Sequence, residues 1–299
     1  MPAERRRRVA PRQVALDRSL EALPLFRLSD SPEDAPVAYT TDTGGRWRVL
    51  PAPGDRLPGT FDQDVYVELM RRFQEAGSPL DGAVSFTLHA FLHSMDRQVD
   101  GRTYEQLRTA LVRLERTVLE SAGAYRLAGE DVNLDGQFTV LSAVAIERRR
   151  AVDRGQLALF DATMAPEPGA ARAVLAPIIR ANLVARHQVT LSVPRYRALG
   201  SPVARRLYRL LEVARAENRL AWRVPLERLK EMLPLGQRYP SHLQRVLQPA
   251  HELLRAEGIL RSAAIRQERR RWYVDYVLGS RTPGPAEGAE GAEGGGRQG

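Results

Sequence analysis

The chain has 299 residues, enough for two ordinary domains with loose ends, and 43% of them are hydrophobic, enough for sizeable cores. It holds no cysteine, which excludes disulfides, thiolate nucleophiles and sulfur-ligated zinc, and neither a membrane-length apolar run nor a charged-then-apolar leader is evident. The formal net charge of +9 favours a polyanion as partner, nucleic acid ahead of an acidic membrane surface. Lys230 is the single lysine, so arginine carries the basic character, and its planar fork grips guanine or phosphate with two bonds.

In chain order, residues 1–58 are rich in proline, glycine and charge, from the basic quartet Arg5–Arg8 to "PAPGDRLPG". They read as a flexible basic arm with one apolar patch, "LPLFRL", that docks on the body. From Thr60 the pattern turns helical: Val65, Leu69, Met70 and Phe73 share a face, and "GSP" ends the run. A second helix follows, with Leu88, Phe91, Leu92 and Met95 on one side. The third is "GRTYEQLRTALVRLERT", with Thr103 and Gln106 at capping-box spacing and a stripe of Tyr104, Leu107, Leu111, Leu114 and Val118. Extended stretches at 125–127 and 138–146, joined by "NLDG", then read as a hairpin. Residues 147–199 are less regular, although "QLALF" and "VTLSV" look extended.

The order then recurs. "SPVARRLYRLLEVARAEN" is a helix with proline near its start, "VPLERLKEML" a shorter one, and "PSHLQRVLQPAHELLRAEG" a third, with Ser241 and Gln244 at capping-box spacing and a terminal glycine. "ILRSAAIRQERRRWYVDYVL" reads as a hairpin with arginines at its tip, and residues 282–299 as a disordered tail. Three helices and a hairpin, twice, is the element order of a winged helix-turn-helix, whose third helix enters the major groove. On the outward side of the first such helix stand Arg102, Gln106, Thr109, Arg113 and Arg116, with Glu105 the one acid. The second presents Ser241, Gln244, Arg245, Gln248, Glu252 and Arg255, with Arg238 just ahead. Arginine and glutamine read guanine and adenine with paired bonds. Arg266, Arg269, Arg270 and Arg271 would clasp phosphates from the second wing. Pro249, inside the last helix, has no explanation in composition.

"SPVARRLYRLLEVAR" with "LQRVLQPAHELL" resembles the carboxy-terminal winged helix of plasmid replication initiators, Leu247, Pro249 and Ala250 matching its recognition helix. "FDQDVYVELMRRFQEAG" and "TYEQLRTALVRLERTVLES" resemble the replication initiator protein A group among them. The resemblance spans about residues 57–278. It implies tandem winged helices that bind origin repeats (iterons), open nearby AT-rich DNA and recruit host replication proteins without enzymatic chemistry. It also implies dimerisation through the first domain and repression of the initiator's own promoter.

Chemistry finds little support. The only lysine lies between Leu229 and Glu231, so there is no Walker A loop. No His-x-His pair exists, and His89 and His93 flank Ala90 rather than the glutamate of a zinc protease. Tyr208 keeps helical spacing with Leu207 and Leu211, the position of a core-edge tyrosine rather than of a nucleophile. The stretch from Gln156 through Leu157 and Leu159 to Phe160 resembles the bacterial sliding-clamp-binding motif, and it also fits a strand with both leucines in the core. Exposure of Phe160 decides between them.

The expected fold is mainly α with small β-sheets (α+β), in two tandem winged helix-turn-helix domains. An arm (1–58) precedes domain 1 (59–165), which binds DNA and dimerises; domain 2 (166–281) binds DNA and the tail (282–299) follows. The expected function is a cytoplasmic, plasmid-associated initiator whose partners are double-stranded origin DNA, a second copy, and the host initiator, helicase and sliding clamp. No cofactor, metal or catalytic residue is expected. A winged-helix transcriptional repressor is the alternative.

Overall fold

The computed structural model describes residues 12–28, 36–147, 169–237 and 239–279. Short apolar runs set the first elements: alternation of Val14 and Leu16 makes strand β1 (Gln13–Asp17), and Asp17 caps the one-turn helix α1 (Arg18–Ala22) by accepting from the Ser19 amide. There follow β2 (Val37–Thr40), β3 (Arg46–Leu50), α2 (Thr60–Glu75), β4 (Ala83–Thr87), α3 (Leu88–Ser94), α4 (Gly101–Arg116), β5 (Val118–Leu127), β6 (Val132–Phe138), β7 (Leu141–Ile146) and β8 (Ala170–Leu175). The second half runs α5 (Pro177–Val184), β9 (Gln188–Ser192), α6 (Val193–Ala198), α7 (Pro202–Ala216), β10 (Ala221–Pro225), α8 (Leu226–Met232), α9 (Pro240–Ala256), β11 (Leu260–Glu268) and β12 (Arg271–Leu278).

One plan occurs twice. Helix, strand, two helices and two strands appear as α2, β4, α3, α4, β7, β8 and again as α7, β10, α8, α9, β11, β12. Both three-stranded sheets place the first strand beside the last, in the orders β4-β8-β7 and β10-β12-β11, with antiparallel neighbours. Most of the helical stripes read from sequence are packed: Val65, Leu69, Met70 and Phe73 of α2, and Leu107, Leu111 and Leu114 of α4, are buried, while Tyr104 is half-buried and Val118 opens β5 instead of continuing α4. One continuous apolar core joins the two units.

Several expectations change. Residues 12–28 and 36–58 are no loose arm. Val14, Leu16, Leu20, Leu23, Leu25, Phe26 and Trp47 are essentially inaccessible, β1 pairs with β9, and β2 and β3 extend the sheet β2-β3-β5-β6. The patch "LPLFRL" docks as expected, whereas composition averaged over 58 residues hid β1 and β3, which find partners far along the chain in β9 and β5. β8, which completes the first unit's sheet, lies beyond the expected division at 165/166.

The hairpin turn of the first half is residues 128–131, and "NLDG" lies inside β6. β6 and β7 go to different sheets, so the long hairpin β5–β6 is an insertion before the two closing strands. The cap of α4 is Asp100, whose carboxylate accepts from the Thr103 amide while the Thr103 hydroxyl meets the Asp100 amide; Gln106 takes no part. α9 starts at Pro240 without a side-chain cap, since Tyr239 occupies the capping position and Ser241 lies inside the helix. Pro249 is exposed on α9 and leaves the Arg245 carbonyl without its usual i+4 donor.

Candidate nucleic-acid interface

The buried stripe of α4 turns Arg102, Gln106, Thr109 and Arg116 outward, and all four are exposed. Arg113 does not join them. Its Nη1 donates to both oxygens of Asp62 at 3.0 and 2.9 Å and its Nε to Asp55 at 3.4 Å, leaving the side chain 18% exposed. Asp62 also accepts the Gly59 amide at the start of α2; burial pushes its carboxyl pKa up, and Arg113 opposes that shift. The position read as a groove contact is a brace between α4 and α2.

In the second unit Ser241, Arg245 and Gln248 are exposed and Gln244 is half-buried. Gln248 donates to Glu252 at 3.0 Å, one turn on. Behind the helix, His251 and Tyr276 share a 2.9 Å hydrogen bond that ties α9 to β12, and burial lowers the imidazole pKa to about 4, so the ring is neutral. Tyr239, which sequence reasoning did not select, is 64% exposed at the head of α9 and meets the His242 ring edge-on at 5.6 Å. An aromatic beside a helix-opening proline was the available signal.

Arg266, Arg269, Arg270 and Arg271 crowd the tip of the β11–β12 hairpin, all exposed. Arg269 and Arg270 form the two-residue turn with φ of 44° and 70°. This left-handed backbone favours glycine or asparagine, and arginine there is strained. Among the described residues, Arg102, Arg116, Arg245, Arg269, Arg270 and Arg271 make no ion pair, and Arg266 has only a 3.8 Å approach to Asp275. The arginines between the units behave differently. Arg197, Arg205, Arg206 and Arg209 are each paired with a carboxylate. Exposed cations without an ion pair thus cluster on these two helices and the hairpin tip, while others, Arg46, Arg56 and Arg186 among them, stand elsewhere on the surface.

The remaining candidates divide plainly. His89 and His93 stack at 6.5 Å, with the Tyr104 hydroxyl 3.4 Å from His89, and among the described residues no group of three or more metal-ligating side chains forms. Tyr208 is buried and its hydroxyl accepts the Ser192 amide at 3.0 Å, a packing role. Arg5–Arg8, Arg238 and the stretch holding Gln156, Leu157, Leu159 and Phe160 lie outside the described residues. Among those described, no helix is long and apolar enough to cross a membrane.

The sequence model of the family "Replication initiator protein A" matches residues 16–233. The chain belongs to that family. A candidate replication protein of Wigglesworthia glossinidia brevipalpis is 34% identical to this initiator over 71 residues, 22% of this chain and 26% of that protein. The match thus spans about a quarter of the relative's length. Domains 2 and 3 of RctB superpose with a TM-score of 0.54 at 13% identity, over 88% of this chain and 99% of that one, which shows a shared fold. The Pi initiator protein, solved in complex with iteron DNA, gives 0.49 at 13% identity, over 90% and 98% of the two chains.

Proposed function

We propose that this initiator is a pair of tandem winged helices that binds repeated duplex sites (iterons) at a replication origin, with α4 and α9 in successive major grooves. The observation that carries the reading is the gathering of unpaired, exposed arginines on α4, α9 and the β11–β12 tip, within a helix–strand–helix–helix–strand–strand plan that occurs twice. Arg102, Gln106, Thr109 and Arg116 face one groove. Ser241, Gln244, Arg245 and Gln248 face the other, each good paired contact being worth about 1–3 kcal/mol against the wrong base. Arg266 and Arg269–Arg271 neutralise phosphates, and the strained turn supports this because strain persists where a side chain is needed in place.

The mechanism is binding energy spent on DNA, with no covalent step. The bound complex would help open the origin and would assemble host replication proteins in the cytoplasm, acting as a monomer on repeats or as a dimer on its own promoter. Electrophoretic retardation of a duplex bearing the repeats beside the gene tests the reading. Binding should exceed that to scrambled DNA, with log K falling by about 0.9 for each phosphate neutralised as log salt rises. A flat salt response with no preference over scrambled sequence would overturn it. A plasmid carrying the gene and repeats should replicate autonomously; specific binding without replication favours a repressor.

A further inference from the structure

Residues 13–22 contact both units in quick succession. Ala15 of β1 is held at both backbone groups by the Gln74 side chain of α2, at 2.9 and 2.7 Å. Asp17 accepts from the Tyr125 hydroxyl of β5 and from Asn182 of α5 at 3.0 Å, while Ser19 donates to the Arg126 carbonyl at 2.8 Å. Glu21 then reaches the second unit: its carboxylate accepts Arg209 Nε and Nη2 of α7 at 2.6 and 2.8 Å, with Arg206 Nη1 at 3.5 Å. Arg206 also donates to the carbonyls of Glu21 and Leu23 at 2.9 and 2.8 Å.

Glu21, Arg206 and Arg209 are all at most 1% exposed. The Arg209 guanidinium lies 5.2 Å from both the Phe26 and Tyr66 rings and donates to Gln63 of α2 at 3.3 Å, so one buried cation touches α1, α2 and α7. Such a cluster tolerates little displacement. A shift of one helix strands a desolvated charge, at far greater cost than sliding an apolar contact. α2 and α7 are also the helices against which α4 and α9 pack.

We propose that residues 13–22 form a rigid splint that fixes α4 relative to α9, with Glu21 the positioning residue that determines which half-site spacing the protein accepts. This rests on the reading that both helices engage one duplex. One inserted base pair moves the second half-site by about 3.4 Å and turns it by about 35°, which a stiff pair of units cannot follow and a loose pair can. Asp64 with Tyr196 and Arg205, and Glu68 with Arg197, still connect the units when Glu21 is neutralised. The change therefore loosens the pair without releasing it.

Two measurements on the full chain test this. The chain has no cysteine, so Glu105→Cys with Ala256→Cys gives one spin label on each helix for pulsed dipolar distance measurement. A single narrow distance is expected, becoming broader or shifted when Glu21→Gln is added. The second uses the duplex that wild-type protein selects from random DNA, with spacers lengthened or shortened by one base pair. Wild type should lose about 100-fold in affinity on either altered spacer, whereas Glu21→Gln, weaker by about tenfold on the native site, should bind all three within about threefold. Simple loss of stability would weaken all three and leave the preference intact. Gln74→Ala, at the other end of the splint, supplies a milder variant if Glu21→Gln does not fold. The proposal is overturned if the distance stays narrow and the spacing preference stays wild-type. If wild-type protein selects no sequence at all, the DNA-binding reading fails while the distance measurement still decides the splint.

Discussion

Arg113 and Arg116 stand on the same helix three residues apart, one locked onto Asp62 and the other in solvent. Arg113→Ala should therefore cost stability, about 3 kcal/mol by urea unfolding, because it leaves a buried carboxylate without its partner. The slope of log K against log salt should not change. Arg245→Ala should leave stability alone and weaken binding to the repeat by about 1–3 kcal/mol with little loss on random DNA; equal losses on both would show that it only holds phosphate. Asp17 supplies a pH dependence. Burial raises its pKa from 3.8 to about 7, against the pull of Tyr125, Asn182 and the Ser19 amide. Between those values the folded state keeps a proton that the unfolded chain has released, so this contribution is full below pH 3.8 and is lost as pH rises to 7. The urea midpoint of wild type should fall from pH 5 to pH 8 and that of Asp17→Asn should fall less; parallel curves would assign the proton elsewhere.

Elements that look alike in sequence differ at their ends. α4 opens on the Asp100 carboxylate, held ionised by the Thr103 amide and hydroxyl, whereas α9 opens on Pro240 with no side-chain cap. The positive end of α9 is therefore the freer of the two to face phosphate. The β11–β12 turn makes the sharper prediction. Replacing Arg269 by Asn together with Arg270→Gly supplies residues suited to φ of 44° and 70°. Thermal unfolding should show a gain of about 1–2 kcal/mol, while the salt slope of DNA binding becomes shallower by about 2 as two phosphate contacts are lost. A stability gain with unchanged salt slope would remove the hairpin tip from the interface.

At the scale of the whole molecule the N-terminal segment is part of the core. Trp47 donates from its indole to the Pro24 carbonyl at 2.8 Å, and Leu20, Leu23, Leu25 and Phe26 are all buried. Each such side chain is worth about 1.5–3 kcal/mol of burial, so deleting residues 1–28 should abolish cooperative unfolding rather than merely trim a tail. A deletion variant that melts like wild type would contradict that packing. The twofold helical plan was legible because its stripes are local: Leu107, Leu111 and Leu114 recur at helical spacing whatever surrounds them. β1 was not legible, because five residues of modest alternation gain meaning only opposite β9, more than 170 positions away. Of the interface, the outward position of Arg102, Gln106, Thr109 and Arg116 could be read from periodicity, while the inward turn of Arg113 depended on Asp62 of another helix.

By itself the sequence determined the amphipathic helices, their repeated order, the arginine-borne charge and the family, since these are local or compositional properties that need no partner to exist. The tertiary structure alone decided which arginines are spent on carboxylates and which stay exposed without one, where the first unit's sheet closes, and that residues 13–22 join the two units. Those outcomes rest on contacts between residues distant in the chain. The energy of a buried charge is set by the group it meets, and neighbours along the sequence do not reveal that group.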